Sequence, residues 1–138
     1  VDGACGYLFC RTPYAYEKAV EWTAREPEFE KRAGFSMMAY LAVHDKKAPD
    51  DKLAAFFPLI ELHSEDPRNF VKKAVNWALR QIGKRSLTLN GLAVQAAMRT
   101  RGTTSAKWIA ADALRELESA AVLERLRNKD TKNNISKK

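Results

Sequence analysis

The chain has 138 residues, 24 of them Lys or Arg against 17 Asp or Glu, giving a formal charge of +7, and 46% are hydrophobic. That is enough for one domain whose core needs no disulfide staples. The longest apolar run, residues 54–60, is interrupted by Pro58 and is far too short to span a membrane.

Strand signals are nearly absent, with no sustained apolar–polar alternation. Helix signals recur instead. Pro13 after Thr12 opens a helix over residues 14–25, and Pro27 opens a second to about residue 44. Pro49-Asp50-Asp51 starts a third, to about 63. Ser64-Glu65-Asp66-Pro67 starts a fourth, ending near Gly83. Segments 86–100 and 105–118 follow, then a short last helix over 119–127. Residues 128–138 are rich in Lys and Asn without apolar periodicity, and are expected to form a disordered basic tail.

Weak internal similarity runs through this series. Phe29-Glu30-Lys31-Arg32-Ala33 is similar to Phe70-Val71-Lys72-Lys73-Ala74, at an offset of 41 residues. Ala78-Leu79-Arg80-Gln81-Ile82 is similar to Ala113-Leu114-Arg115-Glu116-Leu117, at an offset of 35. Two-helix units at such spacing are the signature of HEAT or armadillo-like solenoids. A plain helical bundle fits so short a match equally well, and in either case the class is all-α.

The charge is segregated. Residues 1–66 carry a net −4, and residues 67–111 carry nine cations and no acid. Residues 112–124 return to −3, and 125–138 add +5. A basic middle between acidic flanks is an electrostatic footprint that the total conceals. On a helical wheel, residues 70–84 gather Val71, Ala74, Val75, Ala78, Leu79 and Ile82 on one side. Lys73, Trp77, Arg80 and Lys84 fall opposite, within roughly 60° of each other. A tryptophan centred among three cations, away from the core, needs a partner. One reading is a nucleic-acid surface, with cations on phosphates and the indole on a sugar or base. The plainer reading covers Trp77 with a neighbouring helix or subunit while the lysines snorkel around it.

The repeat offset sets Arg32 beside Lys73, Ser36 beside Trp77 and Ala39 beside Arg80. In the third unit Trp108, Asp112 and Arg115 repeat the stripe, with Asp112 free to pair with Arg115 and Trp108 to cap the core. Arg32 has a plain alternative in a helix ion pair with Glu28.

Little catalytic chemistry is marked. His44 and His63 have no HExxH or Cys partner at ligand spacing, so no metal is expected. No phosphate-cradling glycine motif supports a nucleotide, so no cofactor is expected either. Cys5 and Cys10 lack a CxxC spacing, and no secretory signal is visible. Both features suit a reducing compartment, and the expected location is cytoplasmic. Asp2 precedes the small, apolar Gly3-Ala4-Cys5-Gly6 stretch, a poor place for a decorative charge; a helix cap is the alternative.

Residues 70–85, Phe-Val-Lys-Lys-Ala-Val-Asn-Trp-Ala-Leu-Arg-Gln-Ile-Gly-Lys-Arg, closely resemble the most recognisable helix of the AlkD-like DNA alkylation repair family. Lys31-Arg32-Ala33 and residues 107–117 resemble its preceding and following repeats. The resemblance implies a HEAT-like solenoid over residues 1–127, short and curved, cradling duplex DNA as a monomer. It implies a DNA glycosylase that releases cationic N3- or N7-alkylated purines. Trp77 and Arg80 match the family's concave-face tryptophan and arginine, and Arg32 matches the arginine of the preceding repeat. Asp2 takes the last position of the family's Trp-Asp-x-x-Asp stretch, so Asp2 and Trp77 are the expected catalytic pair. Arg32, Lys73, Arg80 and Lys84 are the expected DNA-binding residues. The first Trp-Asp of that stretch would precede Val1, and the chain is expected to be the C-terminal portion of a longer solenoid. The alternative is a non-catalytic HEAT-like scaffold that binds nucleic acid or an acidic protein.

Overall fold

The computed structural model describes residues 15–45, 48–100 and 104–136. Asp2, Cys5 and Cys10 lie outside the described residues. Among the described residues every regular element is an α-helix: α1 (Ala15–Thr23), α2 (Glu28–His44), α3 (Asp50–Ala54), α4 (Phe57–His63), α5 (Asn69–Gly83), α6 (Leu87–Arg99), α7 (Thr104–Leu117) and α8 (Ala120–Ser136). No described helix is long and apolar enough to cross a membrane.

Two boundaries differ from the expected ones. The single helix expected over 50–63 is broken into α3 and α4. Pro58 accounts for the break: it donates no N–H, and its ring crowds the preceding turn, so it fits only in the first turn of a new helix. The last helix, expected to stop near residue 127 before a disordered tail, runs on to Ser136 as α8. No Gly or Pro interrupts 120–136, and the Lys129 Nζ donates to the Arg85 carbonyl at 3.1 Å.

The helices stack in two rows. α2, α5 and α7 lie side by side and point the same way, because their contacts advance together along the chain. Between α5 and α7, Lys72 meets Trp108, Asn76 meets Asp112 and Arg80 meets Glu116, each 36 residues apart. Between α2 and α5, Arg32 meets Phe70 and Tyr40 meets Trp77. The second row steps similarly. Ser86 at the start of α6 donates to Asp50 at the start of α3 (3.0 Å), and Arg99 at its end pairs with Glu61 of α4. A nearly constant step between parallel neighbours is what stacked two-helix units produce. The chain has an all-α, helical-repeat fold.

The core lies between the rows. The α5 residues Val71, Ala74, Val75, Ala78, Leu79 and Ile82 are all buried there, as their spacing predicts. They meet Phe35, Met38 and Leu41 of α2, Leu89 and Ala93 of α6, and Ile109 and Leu117 of α7. Each large side chain so buried contributes about 1.5–3 kcal/mol. α2 is buried almost all round because α1 and α5 cover opposite sides. Gly34 permits the first contact: a Cβ there would lie 2.7 Å from Thr23 N and 2.8 Å from Ala19 O, so α1 and α2 touch backbone to backbone.

Two polar ties fix α2 to α5 at opposite ends. At the start of α5, Asp66 accepts from Lys31 Nζ (2.8 Å) and from Arg68 Nη2 (2.7 Å), with Lys31 buried and the Asp66 side chain only 9% exposed. Hydrogen bonds from Arg68, and then from Lys31, hold the Asp66 carboxyl well below the usual carboxylate range. Past the end of α5, Arg85 donates to the carbonyls of Ala42 (2.8 Å), Asp45 (2.6 Å) and Ala48 (2.9 Å). One guanidinium thus supplies donors to carbonyls at the end of α2 and in the following turn.

Candidate nucleic-acid interface

The row formed by α2, α5 and α7 has one face in the core and carries a groove of about 550 Å³ on its other side. Arg32 and Ser36 of α2 form one wall, and Trp108 and Asp112 of α7 the other. Phe70, Lys73, Asn76, Trp77 and Arg80 of α5 form the floor. The helical spacing brings Arg32, Lys73, Trp77 and Arg80 into one groove. Lys84, one turn beyond Arg80, lies at its end against α7 rather than in its lining.

Trp77 is half-buried, and its ring meets Tyr40 edge-to-face with centroids 5.3 Å apart. Tyr40 in turn stacks on His44 at 5.7 Å. The covering of Trp77 by a neighbouring helix is therefore partial: Tyr40 braces one edge while the indole still lines the groove. Trp108, read from sequence as a cap on the core, is instead 41% exposed, with the Lys72 ammonium 4.9 Å from its ring centroid. The Arg32 guanidinium lies 5.0 Å from the Phe70 centroid. Both are cation–π arrangements, in which the ring face attracts the cation.

The α7 side is different. Glu116 accepts from Arg80 Nη1 at 2.8 Å through one oxygen and meets Lys84 Nζ at 2.6 Å through the other. Asp112 accepts from Asn76 Nδ2 at 2.7 Å and stands 3.7 Å from Arg80 Nε. Burial pushes the Glu116 carboxyl up, but hydrogen bonds from Arg80 and Lys84 outweigh it, and the group titrates below its ordinary value. Two buried polar atoms here have no hydrogen-bond partner, Arg80 Nε and Asn76 Oδ1. The acid-free block of residues 67–111 is thus not acid-free in space. Arg68 pairs with Asp66, Arg99 with Glu61, and Arg80 and Lys84 with Glu116. Lys73 stays exposed, with no ion pair among the described residues.

Sequence reasoning passed over Tyr40, Asn76 and Glu116. Tyr40 continues the Arg32, Ser36 series at i+8, and Glu116 continues Trp108, Asp112 at i+8. The seven-residue step chosen for α7 selected Arg115 instead, which pairs weakly with Asp112 (3.7 Å) while 78% of its side chain faces solvent. Among the described residues no group of three or more His, Cys, Asp or Glu is placed to hold a metal ion.

These features define an all-α repeat protein with an aromatic and cationic groove along one row of parallel helices. The chain belongs to the DNA alkylation repair enzyme family, whose profile matches residues 1–117. No curated protein and no solved structure matches the chain.

Proposed function

We propose that the protein acts as a DNA glycosylase, hydrolysing the N-glycosidic bond of cationic N3- or N7-alkylated purines in duplex DNA. Alkylation places a positive charge on the purine and weakens its bond to C1′. As that bond breaks, its electron pair neutralises the departing base and the deoxyribose gains oxocarbenium character. Water adds at C1′ and gives up a proton. A carboxylate at Asp2 stabilises the cationic sugar and orients the water. The face of Trp77 lies against the sugar and favours its developing charge. Arg32, Lys73, Arg80 and Lys84 take the flanking phosphates, which fixes register without reading sequence.

The observation that supports this reading is the gathering of Arg32, Lys73, Trp77 and Arg80 in one groove of a chain that belongs to a DNA alkylation repair family. The test is release of 7-methylguanine or 3-methyladenine from methylated duplex by the whole gene product. Release is expected, with Asp2→Asn abolishing it. A folded protein that releases no base overturns the reading. One observation favours a non-catalytic nucleic-acid scaffold: Arg80 and Lys84 are already paired with Glu116. That alternative gives salt-sensitive duplex binding with no base release.

A further inference from the structure

We propose that Glu116 limits the groove's affinity for duplex DNA: its carboxylate takes, between Arg80 and Lys84, the place of a DNA phosphate and so keeps phosphate-driven binding to undamaged duplex low. The inference rests on the reading of the groove as a DNA surface.

Arg80 on α5 and Lys84 just past its end stand one turn apart and share this one carboxylate, each using a different oxygen. All three side chains are half-buried or nearly so, at 28%, 19% and 30% exposure for Arg80, Lys84 and Glu116. The pairs are therefore screened less than surface ion pairs, and an incoming phosphate must displace the carboxylate to reach either cation.

The match is nevertheless incomplete. Glu116 engages the guanidinium through Nη1 alone, and Arg80 Nε has no hydrogen-bond partner. The nearby acid that would complete the fork, Asp112, is held by Asn76 and stays 3.7 Å from Nε, beyond hydrogen-bond length. A phosphate presents several oxygens and can take two terminal nitrogens of the guanidinium in parallel, a geometry that suits arginine. Glu116 is thus an exchangeable stand-in, weaker than the anion it imitates. Undamaged DNA offers only phosphates against this competitor, while a cationic lesion adds its own interactions. Given the excess of undamaged sites in any genome, suppressing the phosphate contribution reduces the share of protein held on undamaged duplex.

Binding of an undamaged duplex to the whole gene product, measured across a salt series, tests the inference. Glu116→Gln is expected to tighten binding on the order of fivefold. It should also steepen the slope of log affinity against log salt by about one to two, since each added phosphate contact contributes about 0.9. Glu118→Gln, the same charge change at an exposed site outside the groove lining, should move neither quantity. In an Arg80→Ala, Lys84→Ala background the Glu116 substitution should have no effect. Glu116→Asp, which retracts the carboxylate by one methylene, gives the same sign and serves if the glutamine variant does not fold. If wild-type binding is salt-dependent and Glu116→Gln leaves affinity and slope unchanged, Glu116 is only a brace; the inference fails and the DNA reading stands. An equal gain from Glu118→Gln reduces the effect to net charge and also overturns it. If neither wild type nor variant binds duplex in a salt-dependent way, both readings fail together.

Discussion

The two seams that flank α5 are built on nearly the same step and with opposite chemistry. Along α2 the contacts are Arg32 over Phe70 and Tyr40 against Trp77, with Asp66 at the amino end between Lys31 and Arg68. Along α7, Lys72 covers Trp108, and beyond it Asp112 and Glu116 meet Asn76, Arg80 and Lys84. The first seam buries one ion-pair node and leaves the groove cationic and aromatic. The second spends its acids at the groove edge. A nine-cation stretch of sequence therefore becomes a graded surface, with Arg80 and Lys84 opposed from the α7 side.

The largest expected effect separates the two seams by burial. Asp66→Asn leaves Lys31 charged and buried, and should cost about 3 kcal/mol, roughly 10 °C in thermal midpoint. Glu116→Gln, whose pairs lie at a groove edge rather than in the core, should cost less, about 1 kcal/mol. Equal losses in a calorimetric comparison would erase the distinction. Because the folded Asp66 carboxyl titrates below its unfolded value of 3.8, its contribution is whole above that pH and is lost as pH falls through the folded value. Acid titration of the wild type should therefore show a loss below about pH 4 that Asp66→Asn lacks. Stability that instead weakened on raising pH from 4 to 7 would contradict the sign.

Gly83→Val comes next. Even a Cβ at that position would lie 2.5 Å from Leu117 Cδ2 and 2.9 Å from Ala93 Cβ, so the α7 seam must open at its far end. A loss of roughly 2–3 kcal/mol by denaturant unfolding is expected. A smaller effect is expected from the aromatic floor: Trp77→Ala should reduce base release by about tenfold, the worth of one desolvated cation–π contact. A similar loss from Trp108→Ala would show that wall and floor act alike. The smallest effect belongs to Arg115→Ala, which should change stability by less than about 0.5 kcal/mol, since its pair with Asp112 is long and solvated.

Much of this architecture is legible in the chain. The alternation of prolines and apolar periods gives most helix positions, and the buried face of α5 follows from its 3.6-residue spacing alone. The wheel also places Lys73, Trp77 and Arg80 together, because residues on one helix keep their angular relations whatever packs against them. What the wheel cannot carry is the register between helices. Similarity pairs Arg80 with Arg115 at an offset of 35, whereas packing pairs it with Glu116 at 36. One residue on a helix is a turn of about 100°, enough to exchange a repelling partner for an attracting one. Block sums of charge fail for the same reason, since they treat residues 112–124 as a separate flank although Asp112 and Glu116 lie against α5. The break at residues 55–56 was written in Pro58, whose effect the surrounding apolar run masked.

Arg85 and the Lys31–Asp66–Arg68 cluster tie the same pair of helices, one past the end of α5 and the other at its start. A joint riveted at both ends cannot splay or pinch, so the spacing between α2 and α5 is set before any ligand arrives. The floor of the groove then works as a gauge of fixed width. What enters must already have the right shape or be bent to it, and the energy of that bending falls on the guest and not on the protein.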